Sequence, residues 1–372
     1  MKMLRSKDLF SVMRTCRTLY RLGIPLLLKD IHYYRTRRSS ILYRTLLLED
    51  PTRFSYVRAL RCDYMDTFFG CHTTQNLFTD FLRYSRRLYH LDIGFDIAVQ
   101  IEDSALAPIA NLPELRRLHL HSCTRKPLAR LLSRLTVPLT ELGIYQDNLL
   151  APVQSEALRI DFFALAAPFR GSLTSLAFAA FSEIAIPPLN GAHAVSFPHV
   201  YQVEWRAARL PTAPTLAVLF PAATHLEVAC TVSRRDWSHI SAQRRHALDL
   251  PQWGAAHVLD CVRGPTADVW GLGLACGARE LTLTSPCRTS GHAKPKLTTA
   301  LLHALRPAIL VVAFDAPTMV TEQGALSSFM RDGLYEIRLQ ISVLDRYLLQ
   351  TVSDLVSIAP FHLLIEIGRA HV

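Results

Sequence analysis

Residues 115–123 read Leu-Arg-Arg-Leu-His-Leu-His-Ser-Cys. In a β-strand successive side chains point to opposite faces, so Leu118 and Leu120 share one face while His119 and His121 share the other. The same apolar-x-x-apolar-x-apolar pattern begins again at Val57, Leu88, Leu139, Leu173, Val200, Ala223, Ala278, Ile309 and Leu334. Successive starts lie 31, 27, 24, 34, 27, 23, 55, 31 and 25 residues apart. The interval of 55 spans two periods, and Val258–Val262 lies where the intervening strand is expected. A further start falls at Phe361-x-x-Leu364. Half of the residues are hydrophobic, so any one match is cheap, but ten in near-constant phase are not.

Helical stripes fill several of the gaps. Leu128, Leu131, Leu132 and Leu135 fall at i, i+3, i+4 and i+7, Leu348, Val352, Leu355 and Val356 at i, i+4, i+7 and i+8, and Leu77, Phe78, Phe81 and Leu82 form a similar stripe. Each unit is then one strand and one returning helix, which must stack on its neighbours to bury its apolar face. Residues 115–123 and their copies resemble the leucine-rich repeat, L-x-x-L-x-L-x-x-N/C. The resemblance implies an α/β fold, an irregular leucine-rich-repeat solenoid with a curved parallel sheet and helices on the convex side. Residues 229–257, with Arg234, Arg235, Asp236, Arg244 and Arg245, are expected to be an insertion or a degenerate repeat.

Composition narrows the function classes. Charged residues make up 19% of the 372, so the chain can bury a large core. No apolar run approaches the ~18 residues of a membrane span, and Lys2, Arg5, Lys7, Asp8 and Arg14 interrupt any secretory signal. Cys16, Cys62, Cys71, Cys123, Cys230, Cys261, Cys276 and Cys287 are scattered without a C-x-x-C pair, as expected for reduced thiols. The expected location is intracellular, cytoplasmic or nuclear, with no membrane partner. The net charge of +10 is concentrated in an Arg-rich N-terminus, which fits the solvated face of a small helical module better than a mitochondrial leader.

Residues 8–31 resemble the later part of an F-box as found in fungal F-box/leucine-rich-repeat proteins. Leu9, the Cys16-x-x-Leu19-Tyr20 step, and Ile24-Pro25-Leu26-Leu27 before a short extended piece carry the likeness. The Leu-Pro-x-Glu opening and first helix of an F-box are absent from the residues before it. The resemblance implies docking to a Skp-type adaptor and its cullin complex through Leu9, Met13, Cys16, Leu19, Tyr20, Ile24 and Pro25. The chain would then be the substrate-recognition subunit of an SCF-type ubiquitin ligase. The alternative is a leucine-rich-repeat scaffold without ligase docking. The expected organisation is an F-box-like helical segment over 1–48 and a solenoid over 49–365, truncated at its C-terminal end. Residues 366–372, Glu-Ile-Gly-Arg-Ala-His-Val, match the translation of a common sequencing adapter and are expected to be read-through.

Catalytic signatures are missing: there is no G-x-x-x-x-G-K-[ST], G-x-S-x-G or H-E-x-x-H, and no enzyme activity or cofactor is expected. His119, His121 and Cys123 could share a strand face as metal ligands, but the repeat places Cys123 where the chain turns inward, so no metal is expected. Asp92, Glu204 and Glu227 lie on different repeats of an open sheet, which argues against an acid/base pair. The concave face is expected to bind an unidentified protein through Arg61, Asp92, His119, His121, Tyr145, Glu204, Arg206, Glu227, Arg338 and Gln340. Their mixed charge speaks against a nucleic-acid groove, which should be uniformly basic.

Overall fold

At the entry to each strand of the N-terminal half, one backbone carbonyl receives two consecutive N–H groups from the next strand. Lys29 O accepts from Arg58 and Ala59, Arg58 O from Tyr89 and His90, and Tyr89 O from Arg116 and Arg117. Arg116 O accepts from Thr140 and Glu141, and Thr140 O from Thr174 and Ser175. The repeat in the sequence is therefore also a repeat in the hydrogen bonds.

The computed structural model describes residues 6–33, 45–47, 49–62, 80–94, 103–121, 125–146, 162–180, 195–230, 237–250, 253, 257–284, 294–314, 336–341 and 362–367. The chain divides into two compact units, Met1–Ala180 and Phe181–Val372. Each is α/β and built on a parallel sheet whose strands pair in chain order, an open solenoid-like arrangement.

The first unit opens with helices α1 (Ser6–Met13) and α2 (Arg17–Leu27), which pack together. The Cys16 thiol caps α2 by accepting the Leu19 N–H. Strand β1 (Asp30–Tyr33) follows as the short extended piece expected after Leu27 and pairs with β2 (Ala59–Cys62), so the sheet begins within residues 1–48. Next come β3 (His90–Gly94), α3 (Asp103–Ala110), β4 (Arg117–His121), α4 (Arg125–Arg134), β5 (Glu141–Gln146), α5 (Phe162–Ala166) and β6 (Ser175–Ala180). Leu60, Leu91, Leu118, Leu142 and Leu176 stand in one row across β2 to β6. All five are buried, as are Val57, Leu88, Leu115, Leu139 and Leu173 three residues earlier. The helical stripe Leu128, Leu131, Leu132 and Leu135 is buried as well. Leu77, Phe78, Cys123 and the stripe from Leu348 to Val356 lie outside the described residues.

The second unit contains β7 (Gln202–Ala207), α6 (Ala213–Leu219), β8 (His225–Cys230), α7 (Trp237–Leu248), β9 (Val258–Gly264), α8 (Thr266–Leu272), β10 (Gly277–Leu283), α9 (Lys294–Leu305), β11 (Ile309–Phe314), β12 (Glu336–Ile341) and β13 (His362–Ile367). Within 229–257, α7 buries Ile240 and Ala247 and lies between β8 and β9 in the chain, which fits the degenerate repeat of the two alternatives. Gly273 ends α8 in the left-handed conformation, φ 70°, and a Cβ there would sit 2.6 Å from Ala247 Cβ. Glycine meets both demands, the turn and the close approach of α7.

Two strand frames differ from the sequence pattern. In β11, Leu310 pairs with Leu281 and Ile337, so the repeat starts at Pro307 rather than Ile309. A shift of two residues keeps every side chain on its face, so alternation alone cannot detect it. In β13, Leu363 and Ile365 stand opposite Ile337 and Leu339, one residue earlier than the frame from Phe361. A one-residue slip exchanges the faces. Strand β13 also continues through Glu366 and Ile367, beside Gln340 and Ile341.

Candidate functional site

Strands β3, β4 and β5 place nine residues on the face opposite the leucine row. In register these are His90–Arg117–Glu141, Asp92–His119–Gly143 and Gly94–His121–Tyr145. Neighbouring strands lie ~4.8 Å apart, whereas same-face residues along one strand are ~6.6 Å apart, so the nearest polar partners come from adjacent repeats.

The side chains form one connected network. His121 Nε2 donates to Asp92 Oδ1 at 2.9 Å, and His119 Nε2 donates to Glu141 Oε1 at 2.9 Å. Arg117 Nε lies 3.2 Å from Glu141 Oε2, and His119 Nδ1 lies 3.8 Å from Asp92 Oδ2. His121 stacks on Tyr145, with ring centroids 4.4 Å apart and planes at 9°. Gly143 makes room for this, since a Cβ there would sit 2.8 Å from the Tyr145 ring and 2.9 Å from the His119 ring.

His90 is the buried member, at 4% exposure, and its Nε2 has no hydrogen-bond partner. Burial, helped by the charges of His119 and Arg61, pulls its pKa down to about 4 against the opposing effect of Asp92 and Glu141. Burial would raise Asp92, but the His121 hydrogen bond and the charges of His121 and His119 outweigh it and hold the carboxyl below its usual range. Glu141 is lowered first by its hydrogen bond from His119 and then by His119 and Arg117 charge, against burial.

A pH dependence follows. Between pH ~6.5 and ~4 the unfolded chain protonates His90 while the folded chain keeps it neutral, so stability falls as pH falls through this window. The loss should reach on the order of 3 kcal/mol at most. Urea unfolding at several pH values should show a shallower decline for His90→Gln over that window than for the unaltered chain. Parallel curves would refute the assignment.

The outward positions of the second unit form a different, self-compensating ladder. Arg206 Nη2 lies 2.6 Å from Glu227 Oε1, and Arg206 Nε lies 2.9 Å from Glu204 Oε1. Arg263 Nε approaches Glu227 Oε2 at 3.8 Å. Exposed pairs of this kind contribute little stability and leave the charges near solvent. In register, Arg338 and Gln340 of β12 stand beside Val311 and Ala313 of β11. Arg61 is exposed and stands beside Asp92 in register. The structure thus brings Asp92, His119, His121 and Tyr145 together in one group, and Glu204, Arg206 and Glu227 in another.

His90, Arg117 and Glu141 escaped the sequence reading, which considered only positions between and after the inward residues. They precede an inward leucine by one residue, so the same alternation marks them as outward. Arg263 was missed because the pattern for β9 was read only as far as Val262.

At the N-terminus, Leu9, Met13 and Ile24 are buried. Cys16 is exposed, and Leu19, Tyr20 and Pro25 are half-buried. Among the described residues no helix is long and apolar enough to cross a membrane. No family model matches the chain, and no curated protein matches it.

Proposed function

We propose that the chain is a protein-interaction module, the substrate-recognition subunit of an SCF-type ubiquitin ligase, with leucine-rich repeats behind an F-box-like segment. The observation that carries the reading is the order of parts: a packed helix pair runs directly into β1 and then into strands paired in chain order. In such a protein the helix pair docks a Skp-type adaptor in the cullin complex, and the open sheet face holds the protein to be modified. No chemistry is required of the chain itself. Two outward groups of mixed charge, around His119 and around Glu227, suit a polar protein surface.

A second reading, a repeat scaffold without ligase docking, is supported by the burial of Leu9, Met13 and Ile24, three of the seven residues through which the resemblance implies adaptor contact. Cys16, Leu19, Tyr20 and Pro25 are the other four, exposed or half-buried. The deciding experiment is co-precipitation of the full chain with a purified Skp-type adaptor. A complex weakened at least ~10-fold by Leu19→Glu combined with Pro25→Ala supports the ligase reading, since that surface would lose its apolar anchor. No complex from chain with native circular dichroism leaves the scaffold.

A further inference from the structure

We propose that His90, Asp92 and His119 bind a divalent transition-metal ion of the zinc class on the outward face of β3 and β4. This goes beyond the ligase reading and does not depend on it. One ligand atom from each of the three lies within 4.8 Å of the others.

Two observations point to a cation rather than to a plain ion-pair network. The first is His90 Nε2, buried and without a hydrogen-bond partner, on a residue whose ring meets His119 edge-on at 5.5 Å between centroids. Among the described residues it is the one buried side-chain nitrogen or oxygen so placed. A buried imidazole nitrogen with no hydrogen-bond partner has lost its water without replacement, and a metal ion restores a partner to its lone pair.

The second is the orientation of His119. An ionised Glu141 can only accept, so His119 Nε2 carries the proton of their 2.9 Å hydrogen bond. The charge of His119 that acts on Asp92 and Glu141 belongs to the metal-free, protonated ring; a metal takes the ring in its neutral form, in which Nδ1 is a lone pair that faces Asp92 Oδ2 at 3.8 Å. Two acceptors opposed without a proton repel, whereas a cation between them satisfies both. Ligands on a tetrahedral zinc with bonds of ~2.0–2.1 Å lie about 3.4 Å apart, so the three ligand atoms, now within 4.8 Å of one another, draw together by up to about 1.4 Å when the site closes.

The surrounding groups supply an outer shell. Glu141 fixes the His119 tautomer, in the carboxylate–histidine–metal arrangement that orients a ligating imidazole. His121 holds Asp92 Oδ1 and leaves Oδ2 as a single-oxygen ligand. Arg117 steadies Glu141 from its other oxygen. Three protein ligands leave a fourth position for water. The competing arrangement is a protonated His119 bridging Asp92 and Glu141 with no metal at all.

The test uses the full chain, stripped with a chelator and titrated with zinc chloride by calorimetry. One equivalent should bind at micromolar concentration or tighter, and binding should raise the melting temperature. His90→Gln and His119→Gln should each weaken binding about 100-fold or more, and Glu141→Gln about 10–100-fold through the outer shell. Cys16→Ser should change nothing. If the histidine variants fail to fold, Asp92→Asn replaces them, because it keeps the size and the acceptor for His121. X-ray absorption on the zinc-loaded unaltered chain should show imidazole nitrogen and no sulfur. Sulfur in the first shell, no stoichiometric binding, or affinity indifferent to all three ligand substitutions overturns the proposal.

Discussion

Leu118→Asp is expected to unfold the first unit, while Arg117→Gln one residue away changes its stability by no more than about 1 kcal/mol. Leu118 is wholly buried between Leu91 and Leu142 in the central row of the sheet. Truncating a leucine in such a position costs about 2–5 kcal/mol through lost burial and the cavity left behind. A carboxylate in the same place adds the penalty of a buried unpaired charge, and the whole unit is stabilised by only about 5–15 kcal/mol. Arg117 is half exposed and pairs with Glu141 across the outer face. Far-ultraviolet circular dichroism and limited proteolysis mapped by mass spectrometry read the result. A folded, protease-resistant first unit carrying Asp at 118 would contradict the inward assignment of the leucine row.

The second large effect belongs to the other unit. Trp205→Ala should lower its stability by about 3–5 kcal/mol, seen as a clear drop in the urea midpoint. Trp205 is fully buried and occupies the sixth position of its repeat, beside Val228 of the next strand. Its indole also donates to the carbonyl of Arg209 at 3.3 Å, anchoring the chain as it leaves β7. Removal therefore combines a large cavity with a lost hydrogen bond. Tyr201, just before the strand and 47% exposed, provides the contrast: Tyr201→Ser should stay within about 0.5 kcal/mol. Equal losses from the two substitutions would count against Trp205 as a core residue.

Much of the fold was legible because it rests on a local rule. The strand starting at Leu115, the buried stripe from Leu128 to Leu135 and the additional strand at Val258 all follow from periodicity within a few residues. The frame errors at β11 and β13 have the same origin. Alternation reports which face a residue occupies but not its partner in the neighbouring strand, and register is a tertiary quantity. The short extended piece after Leu27 is β1, Asp30–Tyr33, but its place beside β2 as the first strand of the sheet is again a matter of register. The helix Trp237–Leu248 was hidden by charge, since Arg244 lies over the Trp270 ring, 3.5 Å from its centroid, with its guanidinium donating to the Trp270 carbonyl.

The candidate site shows the limit of that rule. Read along one strand, His119, His121 and Cys123 share a face, and the repeat argues against a metal among those three. In the folded sheet His119 is grouped instead with His90 and Asp92, 29 and 27 positions earlier in the chain. By itself the sequence determined that strands recur, which residues face inward, and that the opposite face carries histidines and carboxylates. The tertiary structure decided which of those polar residues meet, which ring nitrogen faces which oxygen, and that His90 is buried. Hydrophobic alternation is a short-range property written in neighbouring residues. A polar cluster forms instead across the ~4.8 Å gap between strands, which joins residues distant in the chain once the register is set.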